Sequence, residues 1–536
     1  MTRDNGAAAP SLLDGFGRGV GWTYLSLLLS GGSTFFLAAW SVRRIGTAQY
    51  GLFALVTALA ALLAVFDYAL GLTVQRAGAR VDQRAAGDPA ERRENLDAVR
   101  ASHGAYALLG LAGMLLTAVV GATVAILGTA GRPFLLQTVA LVGVATSVQL
   151  GSAALPAVVL ACRRYSLRSG ATVAGVAVRV SVALLTVDHV GVAGLALAQL
   201  LGVLVERAVL AQLVRRRIPW FALRPSVPDG AALRRVTAYA LPLLLINVSG
   251  QLFAVSDLVA VGALVGASAV GVYQVSSLVP LYLAGVLIVG YNVVFPALAG
   301  SDDAASQEYA TAFLTRVLSY VGAIGLGLIA LRRGDVLDLL LGGPNDLAED
   351  VLLALSAVSL ANLLVHGQAS LLIARGRQRL MAWAVVIELP VNVVLTVVLV
   401  IRYGAVGAAV GTLGTAVLMD FVILPLISRK EFGSSSLAIT VRNGMVPAVL
   451  ATGVALVAAG VGGLAGPPAL RLVLATAVAA VVGTGAGLVL LGADGRRTVR
   501  GALAADGRPP RWIPRRVADL TNSGNLPPPP PGARPL

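Results

Sequence analysis

The chain has 536 residues, of which 57% are hydrophobic and 12% are charged, and its formal net charge is +15. Soluble domains average roughly 45–50% apolar and about 25% charged residues, so the composition excludes a soluble globular protein. The apolar stretches are much longer than the alternating strands of about 10 residues that build membrane barrels. We therefore predict an all-α polytopic membrane protein.

The residue types exclude several enzyme classes. Lys430 is the one lysine, and the chain has no Gly-Lys pair of the kind that a phosphate-binding P-loop needs. The single cysteine, Cys162, excludes an intrachain disulfide, and the histidines have no HExxH-like spacing. We predict that the protein is not an enzyme and that it holds no cofactor and no metal.

Apolar stretches long enough to cross a bilayer, which takes about 20 helical residues, recur along the chain. Two short hinges, at 188–189 and 403–404, leave open whether each separates two spans or interrupts one long span. Counted separately, the stretches number fourteen, near 20–40, 51–72, 102–127, 134–161, 168–187, 190–213, 237–262, 270–298, 313–331, 350–374, 380–401, 404–427, 438–461 and 469–491.

The basic residues predict how the spans are oriented. Loops after even-numbered spans hold 22 Lys and Arg residues, whereas loops after odd-numbered spans hold seven. Cytoplasmic loops carry such an excess, so both termini are predicted to be cytoplasmic, and the Arg- and Ala-rich composition points to a bacterial cytoplasmic membrane. Residues 1–19 are then a cytoplasmic N-terminus, 214–236 a cytoplasmic linker, and 492–536 a disordered, basic and Pro-rich tail.

The chain contains an internal repeat. Gly46-x4-Gly51 precedes the second span and Gly266-x4-Gly271 precedes the eighth, each followed two residues later by an aromatic residue. A second pair of glycine-containing hinges joins the fifth span to the sixth and the eleventh to the twelfth. Two matches in the same order along the chain indicate a duplicated unit of six spans.

The repeat predicts two pseudo-symmetric six-helix bundles, 20–213 and 237–427, followed by an additional pair of transmembrane helices at 438–491. An even number of spans separates the bundles, so they have the same orientation. Transporters built in this way place the substrate route between the halves, which makes transport the leading class of function.

Several stretches resemble the polysaccharide flippases of the MOP superfamily, which export O-antigen and exopolysaccharide units. More distantly, they are similar to lipid II flippases and to MATE exporters. The similarity lies in Val42 to Leu55 around Gly46-Thr-Ala-Gln-Tyr50-Gly51, in Val65 to Leu72, in Leu241-Pro242 through Asp257 to Tyr273, and in Val294-Phe-Pro296. The resemblance implies two six-helix bundles around a central cavity that alternates its opening. It also implies an oligosaccharide on a polyprenyl diphosphate as cargo, moved from the inner to the outer leaflet.

Polar residues inside the spans are the candidates for the substrate route, because ionisable groups that face lipid cost several kcal/mol. Arginines suit a phosphorylated cargo, since the guanidinium binds phosphate with two parallel hydrogen bonds. The first span lacks the acid that the multidrug branch of the superfamily commonly carries, which favours an anionic cargo. The candidate substrate-binding residues are Arg18, Arg76, Arg179, Asn247, Gln251, Asn362 and Asn392, and the candidate ion-coupling residues are Asp257, His366 and Glu388.

Three functions remain open at this point. The first is translocation of a polyprenyl-diphosphate-linked oligosaccharide by alternating access, with polysaccharide polymerase or export proteins as partners, the bilayer as surroundings and no nucleic acid. The second is a proton- or sodium-coupled multidrug exporter. The third is a membrane scaffold of a glycan assembly complex that moves nothing itself, in which the polar groups only bond neighbouring helices.

Overall fold

A computed structural model of the chain describes residues 12–83, 89–126, 133–225, 230, 248, 251–253, 255–299, 304–375, 377–432, 441–463 and 466–490. All regular elements in these ranges are helical, which confirms the predicted fold class. The first half contains α1 (Leu12–Ala61), α2 (Val65–Gln83), α3 (Pro89–Ile126), α4 (Pro133–Gly151), α5 (Ala154–Ala161), α6 (Tyr165–Val190) and α7 (Val192–Arg217).

The second half begins with α8, a short apolar helix in the range Gln251–Leu264. It continues with α9 (Ala267–Ala299), α10 (Ala304–Leu331), α11 (Arg333–Leu341), α12 (Asp346–Ala374), α13 (Gln378–Leu418), α14 (Leu424–Phe432), α15 (Val446–Gly462) and α16 (Pro468–Leu490). Five-residue π-helical turns, Met419–Ile423 and Val441–Met445, precede α14 and α15.

Eleven described helical stretches are long and apolar enough to cross a membrane. Two of them, Tyr24–Ala61 and Leu380–Ser428, contain a non-helical glycine and therefore each supply two crossings. With α8 as a further segment, the described helices agree with the fourteen spans that the sequence predicts. The described part of the chain does not include the tail at 492–536, residues 1–11, most of the second half of the predicted linker 214–236, or most of the first half of the predicted seventh span 237–262.

The hinges of the repeat have a common backbone conformation. Gly46 and Gly266 have φ values of 81° and 123°, and Gly191 and Gly404 have values of 59° and 61°. Side chains other than hydrogen are strained at such positive φ, so glycine allows the chain to leave one helix and enter the next within one residue. The open question about 188–189 and 403–404 is thereby answered, because each hinge separates two spans.

The two halves touch through the second glycine of each repeat. A Cβ atom at Gly51 would collide with the carbonyl oxygen of Ala267, and one at Gly271 would collide with that of Thr47. The hydroxyl groups of Thr47 and Ser268 lie 2.8 Å apart in the same place. We call this reciprocal arrangement the paired-glycine contact. Because small residues let backbones approach closely, it holds α1 directly against α9 at one end of the molecule.

Polar contacts at three positions join the last two long helices, α15 and α16, and the π-helical turn before α15 to α10 and the residues that follow it. Arg316 donates to the side-chain oxygen of Asn443 over 2.7 Å, and Tyr320 donates to the carbonyl oxygen of Gly483 over 2.8 Å. Asp335, whose side chain is 8% exposed, accepts from Arg332 at 3.3 Å and pairs with Arg471 at 3.1 Å. One buried carboxylate thus fixes the beginning of α16 to the connection between α10 and α11.

Asp335→Asn is expected to lower the free energy of unfolding by about 3 kcal/mol, because loss of one partner leaves the other charges of a buried group uncompensated. Thermal unfolding in detergent measures this effect. Asp188→Asn is the matched control, since Asp188 and Arg44 form an exposed pair at 3.5 Å, and exposed pairs contribute about 0–1 kcal/mol. Equal effects of the two substitutions would contradict the structural role of Asp335.

Candidate substrate cavity

A cavity of about 1010 Å³ lies between the two halves. In the first half, the lining comes from α1, α4, α6 and α7. In the second half, it comes from α8, α9, α12 and the parts of α13 on both sides of Gly404. Its polar lining residues are Ser30, Thr34, Thr57, Gln149, Thr172, Arg179, Gln199, Glu206, Gln251, Asp257, Gln274, Ser277, Asn362, Glu388 and Thr412. The volume is at the upper end of the range for ligand sites, which run to about 1,000 Å³.

Arg179 reaches from α6 across the first half to α1. Its Nη2 donates to Ser33 Oγ over 2.7 Å and to Thr34 Oγ1 over 3.2 Å. Within the described part of the chain, Nε has no acceptor and the guanidinium forms no ion pair. Two neutral hydroxyl groups hold the side chain in place and leave its positive charge available to an anion in the cavity.

Glu206, which is on α7, lies beside Arg179 of α6. Its carboxylate accepts a hydrogen bond from Thr172 Oγ1 over 3.1 Å, and Thr172 is the one donor to it among the described residues. Glu206 and Arg179 both line the cavity. The first half therefore presents one cation and one anion to the same space.

In the second half, a buried carboxylate is surrounded by hydroxyl groups. Asp257 on α8 accepts hydrogen bonds from Tyr273 at 2.7 Å, Thr396 at 3.1 Å and Thr412 at 2.7 Å. Asn392 Nδ2 lies 3.4 Å from Thr412 Oγ1 and extends this cluster away from the cavity. Helices α8, α9 and α13 thus converge on one acidic group at the cavity wall.

The sequence-predicted residues divide into three groups. Arg179, Gln251, Asp257, Asn362 and Glu388 line the cavity. Arg76 is exposed, His366 is half-buried on α12, and Asn392 is fully buried, and none of these three belongs to the lining. Arg18 is in α1 but its side chain lies outside the described part of the chain, as does the whole of Asn247.

Among the site residues that sequence reasoning missed, two adjoin Arg179. Ser33 accepts a hydrogen bond from Arg179, and it lies between Ser30 and Thr34, which have the i, i+4 spacing of one helix face. The second is Glu206, which lies within the predicted sixth span next to Arg207. The signal that identifies it is a matched spacing, since Gly175-x3-Arg179 and Gly202-x3-Glu206 place each charge one helical turn after a glycine.

The paired-glycine contact lies directly beside the cavity. Both motifs contribute a tyrosine to the cavity lining: Tyr50 directly precedes Gly51, and Tyr273 follows Gly271 by two residues. Because α1 and α9 are in van der Waals contact there, no passage runs between these two helices at that end. Transporters with repeated halves place their substrate site in a cavity between those halves.

The fold is shared with known transporters. The chain is similar to the structure of the lipid II flippase MurJ in an inward closed conformation, with a TM-score of 0.65 and 12% identity over 88% of this chain and 98% of that one. An inward-facing multidrug resistance MATE family transporter matches with a TM-score of 0.60 and 15% identity over 76% and 96% of the two chains. A MOP superfamily transporter from Pyrococcus furiosus matches with a TM-score of 0.55 and 14% identity over 77% of this chain and 96% of that one.

A search of curated proteins finds no match. The model of the polysaccharide biosynthesis protein family matches residues 16–301, which is more than half of the chain and includes both glycine motifs of the repeat as well as Arg179, Glu206 and Asp257. With the shared fold, this match confirms the resemblance that the sequence motifs carry. The chain therefore belongs to the polysaccharide biosynthesis protein family, a flippase family of the MOP superfamily.

Proposed function

We propose that this protein translocates an oligosaccharide linked to a polyprenyl diphosphate from the inner to the outer leaflet of a bacterial cytoplasmic membrane, for the synthesis of surface polysaccharide. The observation that carries the proposal is Arg179, a guanidinium without an ion-pair partner among the described residues, in a cavity between the two halves. Such a group binds phosphate oxygens by charge-assisted hydrogen bonds. Gln251, Asn362 and the other neutral polar residues of the lining are suited to sugar hydroxyl groups.

The cavity removes the main barrier to flipping. Each unsatisfied polar group costs several kcal/mol in hydrocarbon, so a glycan does not cross the bilayer unaided. A polar chamber replaces water around the headgroup, while the prenyl chain remains in lipid. No covalent step is needed, which agrees with a transporter that is not an enzyme.

The membrane potential supplies a direction. With both termini in the cytoplasm, the paired-glycine contact faces outward and holds the two halves together on that side. Moving about two phosphate charges out of a negative interior releases roughly 4.6 kcal/mol per 100 mV. Polysaccharide polymerase or export proteins would receive the cargo at the outer leaflet.

We assign the coupling of translocation to an ion to Asp257, in preference to His366 and Glu388. Its single carboxylate is surrounded by three hydroxyl groups, a set of hard oxygen atoms that suits a proton or a monovalent cation such as sodium. His366 lies outside the cavity lining, and Glu388 has no comparable set of oxygen atoms among the described residues.

Asp257→Asn is expected to remove the response of translocation to a proton or sodium gradient, because the amide cannot compensate a cation. Flipping is measured in vesicles with and without each gradient. Glu388→Gln is the matched control, being a carboxylate-to-amide change at the same cavity, and is expected to keep the response. A gradient response that persists in Asp257→Asn would contradict this assignment.

The proposed function is tested in a strain that lacks the protein. Polyprenyl-linked oligosaccharide is expected to accumulate at the inner leaflet and to be cleared when the wild-type chain is restored. Drug efflux restored without any glycan defect would instead identify an exporter. Full complementation by an Arg179→Ala, Glu388→Ala double variant that inserts normally would identify a scaffold.

A further inference from the structure

Two glycines press α6 and α7 together and thereby fix the charged pair of the first half. A Cβ atom at Gly175 would lie 2.9 Å from Glu206 Cβ, and one at Gly202 would lie 3.0 Å from Arg179 Cβ. Each charged side chain thus begins directly over the glycine of the opposite helix. Close packing of the two helices therefore places Arg179 and Glu206 at the same level of the cavity, and this placement needs no bond between the two side chains.

The two charges nevertheless do not neutralise each other by direct contact. Arg179 donates to Ser33 and Thr34 on α1, whereas Glu206 accepts from Thr172 on its other side. Among the described residues no further donor reaches the Glu206 carboxylate, so it retains acceptor capacity toward the cavity. A ligand there meets a phosphate-binding group and, next to it, a group that only accepts hydrogen bonds.

We propose that Glu206 selects for headgroups in which a sugar follows the diphosphate, an inference that rests on the proposed function. A sugar hydroxyl donates to the carboxylate in a charge-assisted hydrogen bond while Arg179 binds the adjacent phosphate. A bare prenyl diphosphate has only acceptor oxygens to place there, and like charges repel it. Repulsion by the Glu206 carboxylate thus excludes the prenyl diphosphate that carries no sugar. Specificity often depends on such a penalty for the wrong ligand.

Glu206→Gln is the informative substitution, because glutamine keeps the shape and its carbonyl oxygen still accepts from Thr172. Binding is measured with purified full-length protein in lipid nanodiscs and two probes: a prenyl diphosphate carrying one N-acetylglucosamine, and the same prenyl diphosphate without sugar. Wild-type protein is expected to prefer the first probe by about tenfold. In Glu206→Gln the bare diphosphate binds about tenfold more tightly, and the sugar-linked probe changes by less than about threefold.

Two further variants make the test decisive. Glu349→Gln removes a carboxylate that pairs with Arg333 at 3.1 Å outside the cavity lining, and it is expected to leave the preference unchanged. Thr172→Val removes the group that holds Glu206 and is expected to weaken the preference by about threefold, which provides a readout if Glu206→Gln fails to insert. An unchanged preference in Glu206→Gln, or in Thr172→Val where only that variant inserts, overturns the role of Glu206. Wild-type protein that binds neither probe refutes the proposed function itself.

Discussion

Gly51→Leu is expected to prevent closure of the cavity at the paired-glycine end and to reduce translocation roughly a hundredfold. Any side chain at this position collides with the carbonyl oxygen of Ala267, and that atom belongs to backbone that cannot rotate away. Forcing extra carbon atoms into a tight contact costs about 3 kcal/mol, which reduces the population of the closed state by roughly a hundredfold. Transport by alternating access needs both states, so a protein held open at this end should bind cargo without completing the cycle.

Two measurements check this prediction. The flipping rate is followed in vesicles, and labelling of Gln274→Cys in a Cys162→Ser background by an impermeant maleimide reports whether the cavity is reached from outside. Labelling should increase in Gly51→Leu. Gly32→Leu is the matched control, because a Cβ atom at Gly32 of the same helix meets nothing within 4 Å. Normal flipping with unchanged labelling in Gly51→Leu would show that the paired-glycine contact is not a gate.

Arg179→Ala is expected to reduce translocation by roughly a hundredfold, since loss of a charged hydrogen-bonding group in a partly dry site costs about 3 kcal/mol. Arg179→Lys should recover only a small part of the activity, because an ammonium group cannot form the planar, two-pronged contact with phosphate. Both variants keep the apolar packing of α6. Their thermal unfolding should therefore change much less than their activity.

The control for Arg179 is an arginine that lies outside the cavity. Arg316 donates to Asn443 at 2.7 Å and is absent from the cavity lining. Arg316→Ala removes the same charge and is expected to leave probe binding unchanged. Comparable losses of binding in Arg316→Ala and Arg179→Ala would mean that overall charge, and not the position of Arg179, attracts the cargo.

Most of the fold could be predicted from the sequence, because the physical signals are local. Length and hydropathy place the spans, and the glycines of the repeat predict both their hinges and their duplication. The nature of the hinges could not be predicted. The predicted spans 20–40 and 51–72 leave a loop between them, yet α1 continues through that segment with Gly46 as its one non-helical residue. A single residue with positive φ suffices for the turn, and hydropathy does not register it.

The candidate site was less predictable, because helical periodicity gives the face of a residue but not the neighbour that this face meets. Glu388, Asn392 and Thr396 are spaced as one stripe, but the first lines the cavity and the other two are buried. Asn392 and Thr396 instead bond toward Thr412 and Asp257. Predicting that difference requires the position of α8 and of the helix after Gly404, which depends on long-range packing.

The reciprocity of the paired-glycine contact has an evolutionary consequence. A segment that meets its own repeat through equivalent atoms reproduces the isologous interface of a two-fold dimer. A single six-span ancestor could have formed the same joint with a second copy of itself, and gene fusion would then have preserved it within one polypeptide. The same steric constraint therefore applies at positions 51 and 271, and a larger residue at either position would disrupt the contact between the two halves.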